Sequence, residues 1–249
     1  PAVLAANLAE AFRRPGPWLS AAWECLRGTL GSPRFFAGAV AFFPKAVWLA
    51  REMRRGGISH VHAHFAHHPA LVALAVHRLT GIPFSFTAHG SDLHMDTRML
   101  GRKIAAAAFA VTISEYNRAF VRERCGAAAA DRLKVVRCGI DPEVFVPRVA
   151  AREPGKFAIL CVAALRGVKG HRHLIDACRR LRERGVEFAA RLAGDGPLRA
   201  DLERRIREAG LEGVVTLLGA LPRPEVVREL GRADVLVLPS VVDAQGRRE

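Results

Sequence analysis

The chain has 249 residues, half of them apolar, which is enough for two α/β domains of ordinary size. Its 38 basic against 24 acidic residues give a formal charge of +14, with nineteen basic against ten acidic up to residue 148 and nineteen against fourteen beyond it. Such a field attracts the phosphates of nucleic acid, lipid headgroups or nucleotides without choosing among them; a single tyrosine, with arginines scattered rather than concentrated in one stripe, argues against direct nucleic-acid binding.

Five cysteines, at 25, 125, 138, 161 and 178, form no Cys-x-x-Cys pair and read as reduced thiols of a cytoplasmic protein, most of them buried. The longest apolar run, Phe35–Pro44, is too short for a spanning helix of about 20 residues. With no initiating methionine and no signal peptide, the chain is expected to begin inside a longer protein.

Residues 1–55 predict three helices, Ala2–Arg13, Pro17–Leu30 and Pro33–Arg55. The third starts apolar and ends in Lys45, Arg51, Arg54 and Arg55, suiting a core-packed helix with a solvated end or one that touches a membrane surface. Strands are then expected at Ile58–His64, Phe84–Ala88, Phe109–Ile113 and Lys134–Arg137, with helices at Pro69–Thr80, Thr97–Ala107 and Glu115–Cys125 between them. A polar, proline-bearing stretch at 138–156 looks like a linker. Beyond it the alternation restarts: strands Phe157–Ala163, Phe188–Ala193, Val214–Leu217 and Val235–Leu238, helices His171–Arg184, Leu198–Ala209 and Arg223–Gly231. The fold class is α/β, two Rossmann-like domains in tandem, 1–148 and 149–249.

"HVHAHFAHHP" packs five histidines into nine residues. On a strand His60, His62 and His64 share one face. They suit zinc, a polar site wall or simple packing; against zinc, the next acid after Glu52 is Asp92 and no cysteine is near. His64, at the carboxyl end of its strand, is the best candidate for a crevice wall. In "FTAHGSDLH", His89, Gly90 and Asp92 follow the next strand, which makes either a catalytic edge, where a histidine donates to a substrate oxygen, or a turn capped by Asp or Ser.

Later, "ALRGVKGHRHLIDA" sets Arg166, Gly167, Lys169 and Gly170 between a strand and a helix start, where two cations and helix N-terminal amides suit a diphosphate. "LAGDGPLRADL" places Gly194 and Gly196 after the next strand. Neither is a Walker loop nor a Gly-x-Gly-x-x-Gly turn, which lowers the kinase and dehydrogenase readings.

Taken in order, "HVHAHFAHHPA", "GIPFSFTAHGSDL", "VTISEYNR", "VVRCGIDPEVFVP", "VKGHRHLIDA", "LAGDGPLRADLE", "VTLLGALPRPEVVREL" and "ADVLVLPSVV" resemble the family 4 glycosyltransferases from residue 58 to the end. The resemblance implies the GT-B fold: two Rossmann-like domains facing across a cleft, both incomplete here, acceptor on the first and nucleotide sugar on the second. It also implies transfer with retention and no obligatory metal or cofactor; no Asp-x-Asp triplet occurs. Carried over, His89 stands beside the transferred sugar, Lys169 on the donor diphosphate, Gly194 and Gly196 in the turn near the nucleotide, and Leu221 near the base. Glu249 stands where a Glu-x7-Glu motif opens, so the chain looks truncated at both ends. Where the family often has Gly-Arg-Leu this chain has Ala163-Ala164-Leu165, and Arg166 is expected to replace the missing phosphate arginine. His64 and Asp92 are expected in the acceptor cleft.

The function so implied is transfer from a nucleotide sugar to a polysaccharide or lipid-linked acceptor in the cytoplasm; the basic charge and the Phe35–Arg55 helix add the expectation of a peripheral place at the inner face of the membrane, where anionic lipid would be a partner. The alternatives are a GT-B epimerase or phosphorylase, and a noncatalytic sugar-nucleotide-binding subunit.

Overall fold

The computed structural model describes residues 1–94, 96–146 and 155–242. The chain divides into two compact units, Pro1–Cys138 and the chain from Gly139 onward.

The first unit opens with three helices, α1 (Ala2–Arg13), α2 (Pro15–Thr29) and α3 (Pro33–Arg55). Ser32 caps α3, its hydroxyl accepting from the Phe35 amide. Phe35, Ala39, Phe43 and Val47 recur every fourth residue along α3 and are all buried in the unit's core. That row of α3 is therefore a packing face, while Val40 and Phe42 on the same helix stay exposed. On α1, Leu4 and Leu8 are about two-thirds exposed and Phe12 is 91% exposed, so the bare apolar stripe lies there.

Beyond α3 comes a four-stranded parallel sheet, in the order β1 (Val61–His64), β2 (Phe84–Ala88), β3 (Phe109–Thr112), β4 (Leu133–Val135). α4 (His68–Thr80), α5 (Ser91–His94), α6 (Leu100–Ala106), α7 (Glu115–Cys125) and α8 (Ala127–Asp131) connect the strands. β1 starts at Val61 rather than at Ile58, because the Ile58 amide turns back to the Met53 carbonyl, closing α3. The helix expected over 97–107 starts at Leu100, because the Asp96 carboxylate accepts from the Arg98 amide and holds a turn ahead of it. Phe84 and Phe86 on β2 are fully buried; side chains of that size contribute about 2–3 kcal/mol each.

The second unit carries its own parallel sheet, in the order β7 (Val215–Gly219), β6 (Phe188–Ala193), β5 (Phe157–Val162), β8 (Val235–Leu236). α9 (His171–Glu183), α10 (Arg199–Glu208) and α11 (Arg223–Arg232) connect the strands. After β5 the chain steps outward through β6 to β7, then returns to the other side of β5 as β8. The order reverses at β5, and in open parallel sheets the crevice at the carboxyl ends beside such a reversal is where ligands bind.

Candidate active-site residues

In the first unit the loops after β1 and β2 lie side by side and hold a cluster of histidines. Just before β1 and along its exposed face, His60 Nε2 and His62 Nδ1 each share a hydrogen bond of 2.7 Å with Ser85 Oγ, and His62 Nε2 shares one of 3.0 Å with Thr87 Oγ1. These two histidines are thus committed to the hydroxyls of β2. His62 is pushed below the ordinary histidine value by burial first and by neighbouring His64 and His60 next. Among the described residues no group of three or more His, Cys, Asp or Glu is arranged to hold a metal ion.

His64 and His89 meet across the two loops, His64 Nδ1 standing 3.2 Å from His89 Nε2, with the rings stacked at 5.5 Å between centroids. Phe65 leans on His89 with ring centroids 5.0 Å apart. Its backbone adopts φ = 77°, a left-handed conformation that is strained for a side chain of this size. His64 also borders a cavity of about 580 Å³ bounded by α3, α4 and β1, whose wall includes Phe42, Val72, Val76, His67 and His68.

The His89 backbone is held on both sides. Asp92, only 2% exposed, accepts from the amides of His89 at 2.9 Å, Gly90 at 2.7 Å and Ala66 at 2.6 Å. This corrects the expectation that Asp92 faces an acceptor: its carboxylate lies beneath the surface and ties the loop after β2 to the loop after β1. Asn117, on α7, donates from Nδ2 to the His89 carbonyl at 2.9 Å. Asn117 falls within "VTISEYNR", but its contact with His89 lies 28 positions away and no spacing pattern signals it.

In the second unit, Arg166, Gly194, Gly196 and Leu221 all follow the carboxyl ends of adjacent strands. The loops are stitched together by main-chain bonds: Leu165 N to Asp195 O at 3.0 Å, and Gly194 N to Gly219 O at 2.7 Å. A Cβ on Gly194, at φ = 148°, would lie 2.0 Å from the Ala163 carbonyl oxygen; one on Gly196 would lie 2.7 Å from that of Leu165. These glycines are required by the approach of one loop to the next, a reason additional to closeness to a nucleotide.

Gly167–Lys169 forms a single 3-10 turn and Gly170 a left-handed junction into α9, so the amides of the first α9 turn open beside the reversal at β5. On the far side of the reversal, the Val241 amide donates to the Val168 carbonyl at 2.9 Å. Arg166 is exposed and Lys169 half-buried. His171, which sequence reasoning passed over, is buried at the start of α9; burial first and Lys169 second push it below the ordinary histidine value. Ala164 is exposed and offers no charge. Glu249 lies outside the described residues.

Residues 6–144 match the family described as Glycosyltransferase Family 4, and residues 146–247 match the one described as Glycosyl transferases group 1. The chain is 40% identical over 119 residues to a putative colanic acid biosynthesis glycosyltransferase, WcaL, of Escherichia coli, an alignment covering 48% of this chain and 29% of that one. It is 30% identical over 193 residues to a 2-deoxystreptamine glucosyltransferase of Streptomyces kanamyceticus, covering 68% of this chain and 50% of that one. In both cases the alignment spans half or less of the relative's length. In fold it resembles a Rickettsia africae glycosyltransferase, at 16% identity with a TM-score of 0.64 over 81% of this chain and 56% of that one. It also resembles Anabaena HepE, solved with UDP, at 17% identity with a TM-score of 0.62 over 79% of this chain and 57% of that one. A family match across more than half its length, with the parallel α/β fold of the solved glycosyltransferases, places this chain in Glycosyltransferase Family 4.

Proposed function

We propose that the chain supplies both binding surfaces of a retaining, metal-independent glycosyltransferase that moves a sugar from a nucleotide-diphosphate donor to a polysaccharide or lipid-linked acceptor. The observation that supports this reading is that Arg166, Lys169 and the start of α9 follow one another in the loop after β5, beside the strand reversal of the second unit. Cleaving a sugar–phosphate bond requires stabilising a departing diphosphate, and two cations with preorganised amides supply that charge without a metal or cofactor. Gly194 and Gly196 shape the turn toward the nucleotide and Leu221 lies toward its base. In the first unit His89 would hydrogen-bond the transferred sugar, and His64 would form part of the acceptor wall. Glu249 would contact the sugar from the donor side. The likeness to a structure containing UDP supports a nucleoside diphosphate ligand. The relatives' names favour surface-polysaccharide or small-molecule glycosylation over nucleotide-sugar epimerisation or phosphorolysis.

The bare Leu4, Leu8 and Phe12 stripe of α1, on a chain of charge +14, supports peripheral contact with an anionic membrane on the cytoplasmic side. No helix among the described residues is long and apolar enough to cross a membrane.

Calorimetric titration of the chain with uridine and guanosine diphosphates tests the donor half. At least one should bind, and Lys169→Ala should weaken it tenfold or more with the circular dichroism spectrum unchanged. Binding by neither, or binding indifferent to Lys169 and Arg166, would overturn the assignment; product analysis with and without acceptor separates transfer from epimerisation.

A further inference from the structure

Lys103, on α6, is 1% exposed. Burying an ammonium is costly unless it is hydrogen-bonded and has counter-charge nearby. Its Nζ donates to the Ala66 carbonyl at 2.5 Å and stands 5.1 Å from the centre of the Phe35 ring. The amide of the same Ala66 donates to Asp92, whose carboxylate also takes the amides of His89 and Gly90. One residue in the loop after β1 is therefore gripped at its N–H by a buried anion and at its C=O by a buried cation. Phe65, immediately before it, is held in its left-handed conformation against His89, and His64, one residue earlier, meets the His89 ring.

We propose that Lys103 is the positioning residue of the His89 site: with Asp92 it clamps the Ala66 peptide from both sides and so sets the rings of His64, Phe65 and His89 against one another. Resting on His89 as the residue beside the transferred sugar, the clamp makes the placement of that ring depend on a side chain that never touches substrate. Groups facing Lys103 come from several elements: Cys25 on α2, His67 and His68 at the start of α4, Asp92 on α5, Asp96 in the loop before α6, and Cys125 on α7. Burial lowers the Lys103 ammonium from 10.5 to about 7, against the pull of Asp96 and Asp92, so its charge titrates where histidines also do.

The test is nuclear magnetic resonance of the 249-residue chain with labelled histidine, lysine and backbone. In the wild type, the imidazole nitrogens of His64 and His89 should give separate protonated and unprotonated signals, as a fixed hydrogen bond between two rings requires. The amides of Ala66, His89 and Gly90 should shift with the same midpoint as the Lys103 Cε. In Lys103→Met the ring signals should collapse to the averaged values of free imidazoles, and the amide step should vanish. If Lys103→Met does not fold, the wild-type titration decides alone: a Lys103 step unaccompanied by shifts at the His89 and Gly90 amides overturns the clamp. Unchanged ring signals in a folded Lys103→Met also overturn it. In a chain that turns over donor, Lys103→Met should lower kcat tenfold or more while leaving donor KM within about twofold. Because the ring and amide signals need no substrate, these shifts without binding of uridine or guanosine diphosphate would sink the enzymatic reading alone, and binding without them would sink the clamp alone.

Discussion

Replacing Asp92 by asparagine keeps the shape of the side chain and removes its charge. The carboxylate is 2% exposed and accepts three main-chain amides at 2.6–2.9 Å, with the Lys103 ammonium on the other side of the Ala66 peptide. An asparagine retains one acceptor oxygen but turns an NH2 toward a group that donates, so at least one amide loses its partner. Hydrogen bonds to a charged acceptor are worth about 1.5–3 kcal/mol each. Asp96 remains as counter-charge to Lys103, so the expected loss is set by the amide bonds, about 3 kcal/mol for the one lost outright and the others left with a neutral acceptor. All three tryptophans, Trp18, Trp23 and Trp48, lie in the first unit, so their fluorescence reports its unfolding. With a urea slope of about 2 kcal/mol per molar for a unit of this size, the midpoint should fall by about 1.5 M. A fall below about 0.5 M would mean that the carboxylate does not hold the two loops together, and the description of Asp92 as a tie would be wrong.

Lys103 gives a pH dependence of definite sign. Its folded value of about 7 lies below the ordinary 10.5, so between pH 7 and 9 the unfolded chain holds a proton that the folded chain releases, and stability rises with pH by up to about 1.4 kcal/mol per unit. The urea midpoint of the first unit should therefore increase from pH 7 to 9 in the wild type but not in Lys103→Met; a flat wild-type profile would refute the burial of a titrating ammonium. Above pH 9 the trend should weaken, since burial pushes the Cys25 thiol up to about 12 and its ionisation then favours the unfolded chain. Towards pH 5 the same midpoint should fall, because burial lowers His67 and His68 below the ordinary histidine value and the unfolded chain takes up their protons first. Gly170→Ala places a Cβ 1.8 Å from the Pro239 carbonyl oxygen at φ = 68°, so the second unit should lose about 1–3 kcal/mol; wild-type thermal stability by far-ultraviolet dichroism would contradict that packing. In flotation with vesicles rich in phosphatidylglycerol, Phe12→Ser should reduce binding tenfold or more, since burying a phenylalanine is worth about 2–3 kcal/mol; no wild-type binding at low salt would remove the membrane contact.

Much of the architecture was legible residue by residue. Buried parallel strands read as short apolar runs, and helix α3 was bounded as expected by Pro33 after a capping Ser32 and by Arg55 before glycine. Strand ends were less legible, because the start of β1 depends on the Ile58 amide turning back onto α3. The meaning of the acid in "FTAHGSDLH" was not legible. Spacing left a cleft-facing carboxylate, the reading preferred, and a capping one both open, and the deciding partner, Ala66, lies 26 positions earlier.

The sequence by itself determined an α/β chain with two runs of strand and helix, glycines and cations at the second unit's strand ends, and a histidine after β2. Only the tertiary structure decided that His60 and His62 are engaged by Ser85 and Thr87, that the Phe35–Val47 row of α3 is core while Leu4, Leu8 and Phe12 of α1 are bare, and that Asp92, Lys103 and Asn117 hold His89 without facing solvent. The physical reason is range. Strand and helix patterns express the chain's local period, whereas a buried charge or amide is defined by the partner that a parallel crossover brings beside it, and that partner stands 26 to 37 residues away.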